Sequence, residues 1–432
     1  MIEKDNGLLK AVLNRSTSQI QDCIIEGEDV YRRDERGRTY LHLSVFLKEE
    51  ELVRQFLSQG CDINEGDNDR VTALHRACRN GCEPIVKALM QEGANPYAEA
   101  KDSITPIHVA AAFGHVGSLS IILKSLASNS IGQIDIDVCD DQGHTPLHYA
   151  CAEGHKRAIE TLIAYDCNVN AENIRQNRPL HYAAANDSND LCQPLVKAKA
   201  DVDAQNINGQ TALHIATQEA CTSTIFHLLN AEADPNIRDA NGNTCSHLAI
   251  KNGHINVLEL LMSDSRTDPS ISDNEKNTVL HVALKLGHYN LIPMMLPKAR
   301  DLTKQDANGC SVIIEAIKNQ LEDLALQMLQ TCPDLVHTAT HDLVTPLHLA
   351  AERGMTNLTK QLIIAGAQVD AADSSGLTPS LYCAKNDSVL ECLAMIEDIM
   401  MMTDDSVDDN DHKQLNQHQH VKGNKISSRI SS

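Results

Sequence analysis

The residues best suited to chemistry are histidines, and they recur. His42, His75, His108, His148, His181, His214, His247, His281 and His348 hold one place in a repeating pattern, with steps of 33, 33, 40, 33, 33, 33, 34 and 67 residues. An imidazole serves as metal ligand or general base. Neither role fits this spacing, because a ladder at repeat distance cannot converge on one ion, and a catalytic site is singular where these positions are plural. The pattern instead predicts that each imidazole, at the start of a helix, hydrogen-bonds a nearby threonine or the neighbouring hairpin backbone. That satisfies groups otherwise buried unpaired. For His148 the threonine is Thr145.

The fourteen cysteines are the next candidates. No Cys-x-x-Cys pair and no four-ligand His/Cys cluster with zinc spacing occurs. Cys78 and Cys82 come closest, with the helix-ending Gly81 between them. Cys78 and Cys151 hold the slot that Ala111 and Ala184 fill in sister repeats, so they are expected as small buried hydrophobes in a reducing compartment. The sequence has no Gly-rich phosphate loop, Gly-x-Ser-x-Gly elbow or His-Glu-x-x-His pair. The pairs Gly114-His115, Gly154-His155, Gly253-His254 and Gly287-His288 read as helix-ending turns. A non-enzyme without metal or cofactor is expected.

With 59 acidic against 37 basic side chains, the formal net charge is -22. That balance disfavours nucleic acid and anionic membrane surfaces as general partners, although a local basic patch is compatible with it. Aromatics are only 3% and Trp is absent, so the core must be built from Leu, Ile, Val and Ala. The N-terminus lacks the pattern of a secretory signal, and no apolar run approaches membrane-spanning length. Cytoplasm is the expected location, the nucleus being compatible as well, and the chain is expected to be monomeric by itself.

What positions these residues is a repeat. Asp140 to Asn170 reads DDQGHTPLHYACAEGHKRAIETLIAYDCNVN. Gly143 supplies a left-handed turn at a hairpin tip, Thr145 caps a first helix, and Pro146 takes the first helical position. Leu147, Ala150 and Cys151 make its inner face, Gly154 ends it, and Ile159, Leu162 and Ile163 face inward from a second helix. The stretch resembles an ankyrin repeat. That resemblance implies an all-α solenoid of helix-turn-helix repeats with short β-hairpin tips, and protein partners bound on a concave face.

Three segments follow. Residues 1–33 carry apolar positions at helical spacing without the histidine signature and read as a degenerate capping repeat. Residues 34–402 hold eleven repeats in one solenoid, with Ile314 and Leu381 standing where two histidines are missing. Residues 403–432 read as a disordered polar tail, solvating or phosphorylation-controlled. The 40-residue step places seven extra residues between Ile122 and Asp140, as a tolerated lengthening or a specificity loop.

The expected partner site is particular to this chain. Tyr149 and Tyr182 follow the signature histidine in adjacent repeats and should lie side by side, as interface anchors or as mere shields of the helix faces. Arg76 holds the same slot two repeats earlier, and Arg175 lies on the next tip. Asp141, Gln142, His144, Glu153, Asn177 and Asn186 would surround them. Asp34, Asp67, Asp239 and Asp306 read as turn formers.

A narrower likeness concerns three stretches. Gly376 to Ile396 (GLTPSLYCAKNDSVLECLAMI), Asp273 to His288 (DNEKNTVLHVALKLGH) and TPIHVAAAFGHVGSLSIILKS before the long step resemble the regulatory ankyrin-repeat subunits of serine/threonine phosphatase six. This resemblance implies a scaffold that binds a phosphatase catalytic subunit and helps recognise phosphoprotein substrates. The alternative is the soluble ankyrin arm of a larger membrane or signalling assembly.

Overall fold

In the standard repeat a capping residue, a run of small and branched apolar residues and a turn residue of positive φ, Gly154 in the fourth repeat and Ala220 in the sixth, separate two short helices. The computed structural model describes residues 7–128, 135–186, 191–383, 394, 396 and 397. In the fourth repeat, Thr145 is extended (φ -90, ψ 166) and starts the helix Pro146–Ala152. Gly154, at φ 79, turns the chain into the second helix, Lys156–Ala164. Leu147, Ala150 and Cys151 are buried on the first helix, with Ala158, Ile159 and Leu162 on the second. Ile163, expected on the inner face, is only half-buried.

The described chain forms two compact units, Met1–Ala240 with His254–Leu260, and Asn241–Gly253 with Leu261–Ser432. In the first unit, the helix Pro146–Ala152 packs between the first helices of its neighbours, Pro106–Ala112 and Pro179–Ala184, and the second helices stack likewise. In the second unit, Val279–Leu286 packs between Cys245–Lys251 and Val312–Lys318 in the same way. Burial of each core leucine contributes about 1.5–3 kcal/mol.

The N-terminal segment forms a full helix pair, Gly7–Leu13 and Thr17–Ile25, which buries Leu8, Val12 and Ile20 while Leu9, Leu13 and Ile25 stay exposed. The eighth repeat departs from the pattern in its second half. Pro293 and Pro297 remove backbone donors there, and the segment becomes three short pieces, Tyr289–Leu291, Ile292–Met295 and Leu296–Lys298.

The tips differ from the expected β-hairpins. Among the described residues there are only two isolated bridges, Ser272 with Thr278 and Gln305 with Ser311. Each tip is a five-residue turn too short for a ladder: in the fourth repeat Asp140 N–H donates to His144 O at 3.0 Å. Successive tips in the first unit are joined by a single backbone bond, as from Asn68 N–H to Arg36 O (3.0 Å) and from Ile174 N–H to Gln142 O (3.0 Å). Most of the seven-residue insertion (129–134), Cys392, most of the final repeat after Cys383 and the tail 403–432 lie outside the described residues.

Candidate functional site

The signature histidines do both jobs that their position allowed. Thr145 N–H donates to His148 Nδ1 at 3.0 Å, and Thr145 Oγ1 lies at the same distance. Because Nδ1 accepts, the proton sits on Nε2, which donates to the tip carbonyl of Asn177 in the following repeat at 3.0 Å. This is a capping box with histidine in the place usually held by Glu or Gln. The ring therefore closes its own helix and fastens the next tip. His42, His75 and His108 do the same to Val71 O, Ile104 O and His144 O, and His281 and His348 to Cys310 O and Leu377 O. In the fifth repeat Arg178 stands where threonine is usual, and its backbone N–H keeps the bond to His181 Nδ1. Burial holds these imidazoles neutral, pushing His75 and His148 down to about 4.

The Gly-His turns carry a second ladder that the sequence reading missed. His115 Nε2 reaches back to Arg79 O and His155 Nε2 to Ala112 O, each at 3.0 Å, where the preceding repeat's first helix ends in unpaired carbonyls. His254 Nδ1 contacts Thr217 O at 3.0 Å in the same manner. The spacing of Gly-His dipeptides was the available signal.

The tip acids act as turn formers through one oxygen. Asp140 Oδ1 accepts the N–H groups of Gln142 (2.9 Å) and His144 (2.8 Å), and the corresponding oxygens of Asp34, Asp67 and Asp306 accept two N–H groups each. The other oxygen is taken by a side chain. Tyr149 donates to Asp140 Oδ2 at 2.7 Å, Arg76 to Asp67 Oδ2 at 2.6 Å and Tyr382 to Asp373 Oδ2 at 2.7 Å, each nine residues downstream. Burial raises the Asp140 carboxyl, but the Tyr149 hydroxyl and the turn N–H groups outweigh it and hold the group below its ordinary value.

Tyr149 and Tyr182 do belong to one cluster, with His144 between them. Its ring centroid lies 5.8 Å from Tyr149 and 5.6 Å from Tyr182, edge-on to both. His144 Nδ1 lies 3.1 Å from Asp140 Oδ2, and Nε2 lies 2.8 Å from the Tyr182 hydroxyl. Asn173 Nδ2 donates to that hydroxyl at 2.9 Å. Acid, imidazole and hydroxyl stand in the order of a proton relay, yet donors and acceptors close on one another. Both tyrosines are half-buried. Asn173, absent from the expected set, is the cluster's far anchor.

The remaining expected residues separate. Asp141, Gln142 and Arg175 are exposed on the two tips, and Asp141 accepts from Ser103 Oγ at 2.6 Å. Asn177 accepts from Asn206 Nδ2 at 2.9 Å. Glu153 and Asn186 follow the last residues of the first helices, at the end opposite the tips. Arg76 is engaged at the tip of its own repeat.

In the second unit, lysines four residues beyond the histidine position take over. Lys251 Nζ lies 2.6 Å from Asn243 Oδ1 and 3.2 Å from Asp273 Oδ2, and Lys285 Nζ lies 2.6 Å from Asn277 Oδ1 and 2.8 Å from Asp306 Oδ2. Donor atoms of Asp306, Cys310 and Glu315 lie within 4.8 Å of one another, the sort of grouping a metal uses. Lys285 and Lys318 already supply the positive charge there, with Lys318 Nζ 2.9 Å from Cys310 Sγ. Cys78 and Cys151 are fully buried, and burial pushes both thiols up, which makes them inert packing groups.

The matching family models agree with this architecture. The family description "Ankyrin repeats (3 copies)" matches residues 8–100, 92–173, 157–239, 180–273 and 218–306, and "Ankyrin repeat" matches 342–374. Among solved structures, the ankyrin repeat domain of Bcl-3, a unique member of the IkappaB protein family, is similar at 26% identity and a TM-score of 0.46. The match covers 52% of this chain and 99% of that one. Among the described residues no helix is long and apolar enough to cross a membrane.

Proposed function

The chain belongs to the ankyrin-repeat family of protein–protein interaction scaffolds, and on that premise we propose that the tips of its fourth and fifth repeats are the centre of the partner-binding surface. The observation that carries this reading is the cluster of Tyr149, His144 and Tyr182, whose hydroxyls and imidazole hold the rings in place. Half-buried aromatic side chains fixed before binding lose little entropy on contact, and such residues dominate interface energies. Asp141, Gln142 and Arg175 surround them with exposed polar groups. Glu153 and Asn186 lie at the opposite helix ends and are peripheral to this surface.

The partner we propose is a serine/threonine phosphatase catalytic subunit, and the role is that of a non-enzymatic adaptor. The support is the likeness of Asp273 to His288 and Gly376 to Ile396 to regulatory subunits of phosphatase six. Titrating the full chain with purified catalytic subunit tests the partner, and replacing Tyr149 and Tyr182 together by Ala tests the surface. The double variant is expected to lose about 2 kcal/mol or more of binding, while Phe at both positions keeps most of it. Equal affinity of the Ala variant removes the surface, and absence of binding by the wild type removes the phosphatase.

A further inference from the structure

The bonds around His144 run in one direction. The Asp140 carboxyl is held below its ordinary value, so its Oδ2, 3.1 Å from His144 Nδ1, accepts, and Nδ1 carries a proton. In the neutral ring Nε2 is then an acceptor. Two groups face it, the Tyr182 hydroxyl at 2.8 Å and Asn173 Nδ2 at 3.0 Å. The amide is fixed in this sense, because Asn173 Oδ1 accepts the N–H groups of Arg175 and Asn177, each at 2.9 Å. Its NH2 donates to the Tyr182 oxygen at 2.9 Å. Donation therefore passes from Asn173 to Tyr182 to His144 to Asp140, and the Tyr182 hydroxyl proton points at the imidazole. His148, whose ring centroid lies 5.7 Å away, has the opposite tautomer, with its proton on Nε2.

We infer that His144 is a proton-controlled switch of the partner surface: when the ring takes up a second proton, Nε2–H donates to the Tyr182 oxygen, and the Tyr182 O–H turns away from the cluster toward a hydrogen-bond acceptor of the partner. This rests on the reading that the fourth and fifth tips bind the partner. In the cationic state the Tyr182 oxygen takes two donors, Nε2–H and the Asn173 NH2, and its own proton has no acceptor left on the imidazole. Nδ1 keeps its bond to Asp140, which becomes an ion pair. Tyr182 is half-buried, so the turned hydroxyl has access to the surface. The other rings that face His144 stay as they are. Burial pushes His148 down to about 4 and lowers His108, whose Nε2 donates to His144 O at 3.0 Å, while burial and Asp140 push the Tyr149 hydroxyl up. Lys101, Asp102, Asp141 and Arg175, of mixed sign, stand exposed on the surrounding tips. Asp140 supplies the charge in contact with the ring. A carboxylate or backbone carbonyl that meets the turned O–H strengthens binding, and by linkage partner binding draws a proton onto His144.

Nitrogen and carbon NMR of the full chain between about pH 8 and 5.5 tests the switch without a partner, above the value of about 4 to which burial pushes His75 and His148. The His144 signals are assigned by their loss in His144→Asn, a residue that Asn177, Asn243 and Asn277 already place at this point of sister repeats. Neutral His144 is expected to carry its proton on Nδ1. The Tyr182 Cζ resonance is expected to shift with the same midpoint as His144, and to lose that shift in His144→Asn. Titration of the full chain with purified phosphatase catalytic subunit is expected to give an affinity about three- to tenfold higher below this midpoint than above it. That ratio is expected to fall to the same lower value in His144→Asn and in Tyr182→Phe, whatever affinity each retains. A neutral His144 protonated on Nε2, a Tyr182 resonance indifferent to His144, or one ratio shared by the wild type and both variants overturns the switch. Absence of binding at every pH removes the phosphatase, and the Tyr182 resonance then decides the switch by itself.

Discussion

The tips of the fourth and ninth repeats use the same aspartate for different ends. In both, one carboxylate oxygen accepts the two turn N–H groups, Gln142 and His144 in one and Asn308 and Cys310 in the other. The second oxygen differs. Asp140 receives the hydroxyl of Tyr149 from its own repeat, while Asp306 receives the ammonium of Lys285 from the repeat before. The first arrangement locks a tip internally and leaves aromatic rings half open to a partner. The second fastens one repeat to the next by charge. The frame fixes one oxygen, and the individual character of each region lies in what meets the other.

If the frame is common, equal damage to it should cost equally. Leu147 and Leu280 occupy the same core slot, and each is 1% exposed. Leu147→Ala and Leu280→Ala are each expected to lose about 2–5 kcal/mol, read as shifts of the urea midpoint of the unit concerned. A negligible loss at either would mean that the repeat register there is wrong.

Acid should also treat the two regions alike, through the histidine ladder. The folded-state pKa of His148 is pushed by burial to about 4, and that of His281 is lowered by burial too, against about 6.5 in the unfolded chain. A depressed histidine favours the folded state fully above the unfolded value and loses that contribution as pH falls through the interval. For His148 the loss between about 6.5 and 4 is on the order of 3 kcal/mol. Urea unfolding at several pH values across this window measures it. His148→Gln keeps a capping-box side chain without the titration and should lessen the slope in the first unit by the share of His148, while His42, His75, His108 and His181 still titrate. An unchanged slope would remove His148 as a contributor.

Much of this frame was legible in the sequence, because local periodicity dictates it. Thr145, Pro146, Leu147, Gly143 and Gly154 act where their spacing placed them. The histidine ladder was half legible: a bond to Thr145 or to the next tip was expected, and the ring makes both. What stayed hidden are contacts between repeats. His155 reaching back to Ala112 O depends on stacking distance, which one repeat read alone does not contain. The lysines at 251, 285 and 318 recur at repeat spacing and were a readable signal that composition arguments passed over. The tyrosine slot was visible in the candidate site, but the place of His144 between the rings was not. His144 sits on a turn whose side-chain direction is set by Asp140.

The finest test of the comparison replaces one atom in each region. In Asp140→Asn and Asp306→Asn the amide oxygen still accepts the turn N–H groups, and an NH2 replaces the second oxygen. Beside Tyr149 the hydroxyl can turn from donor to acceptor. The adjacent repeat already does this, since Asn173 Nδ2 donates to the Tyr182 hydroxyl at 2.9 Å. The new NH2 also lies against His144 Nδ1, 3.1 Å from the replaced oxygen, and the expected loss at Asp140 is about 0.5–1 kcal/mol, independent of salt. Beside Lys285 the new NH2 faces an ammonium that has no acceptor role. Lys285 keeps Asn277 Oδ1 at 2.6 Å, and its side chain is 37% exposed to water, which limits the loss at Asp306 to about 1–2 kcal/mol. Urea unfolding in low and high salt measures both, and only the Asp306 difference should shrink as salt rises. A larger and salt-sensitive loss at Asp140 would break the comparison.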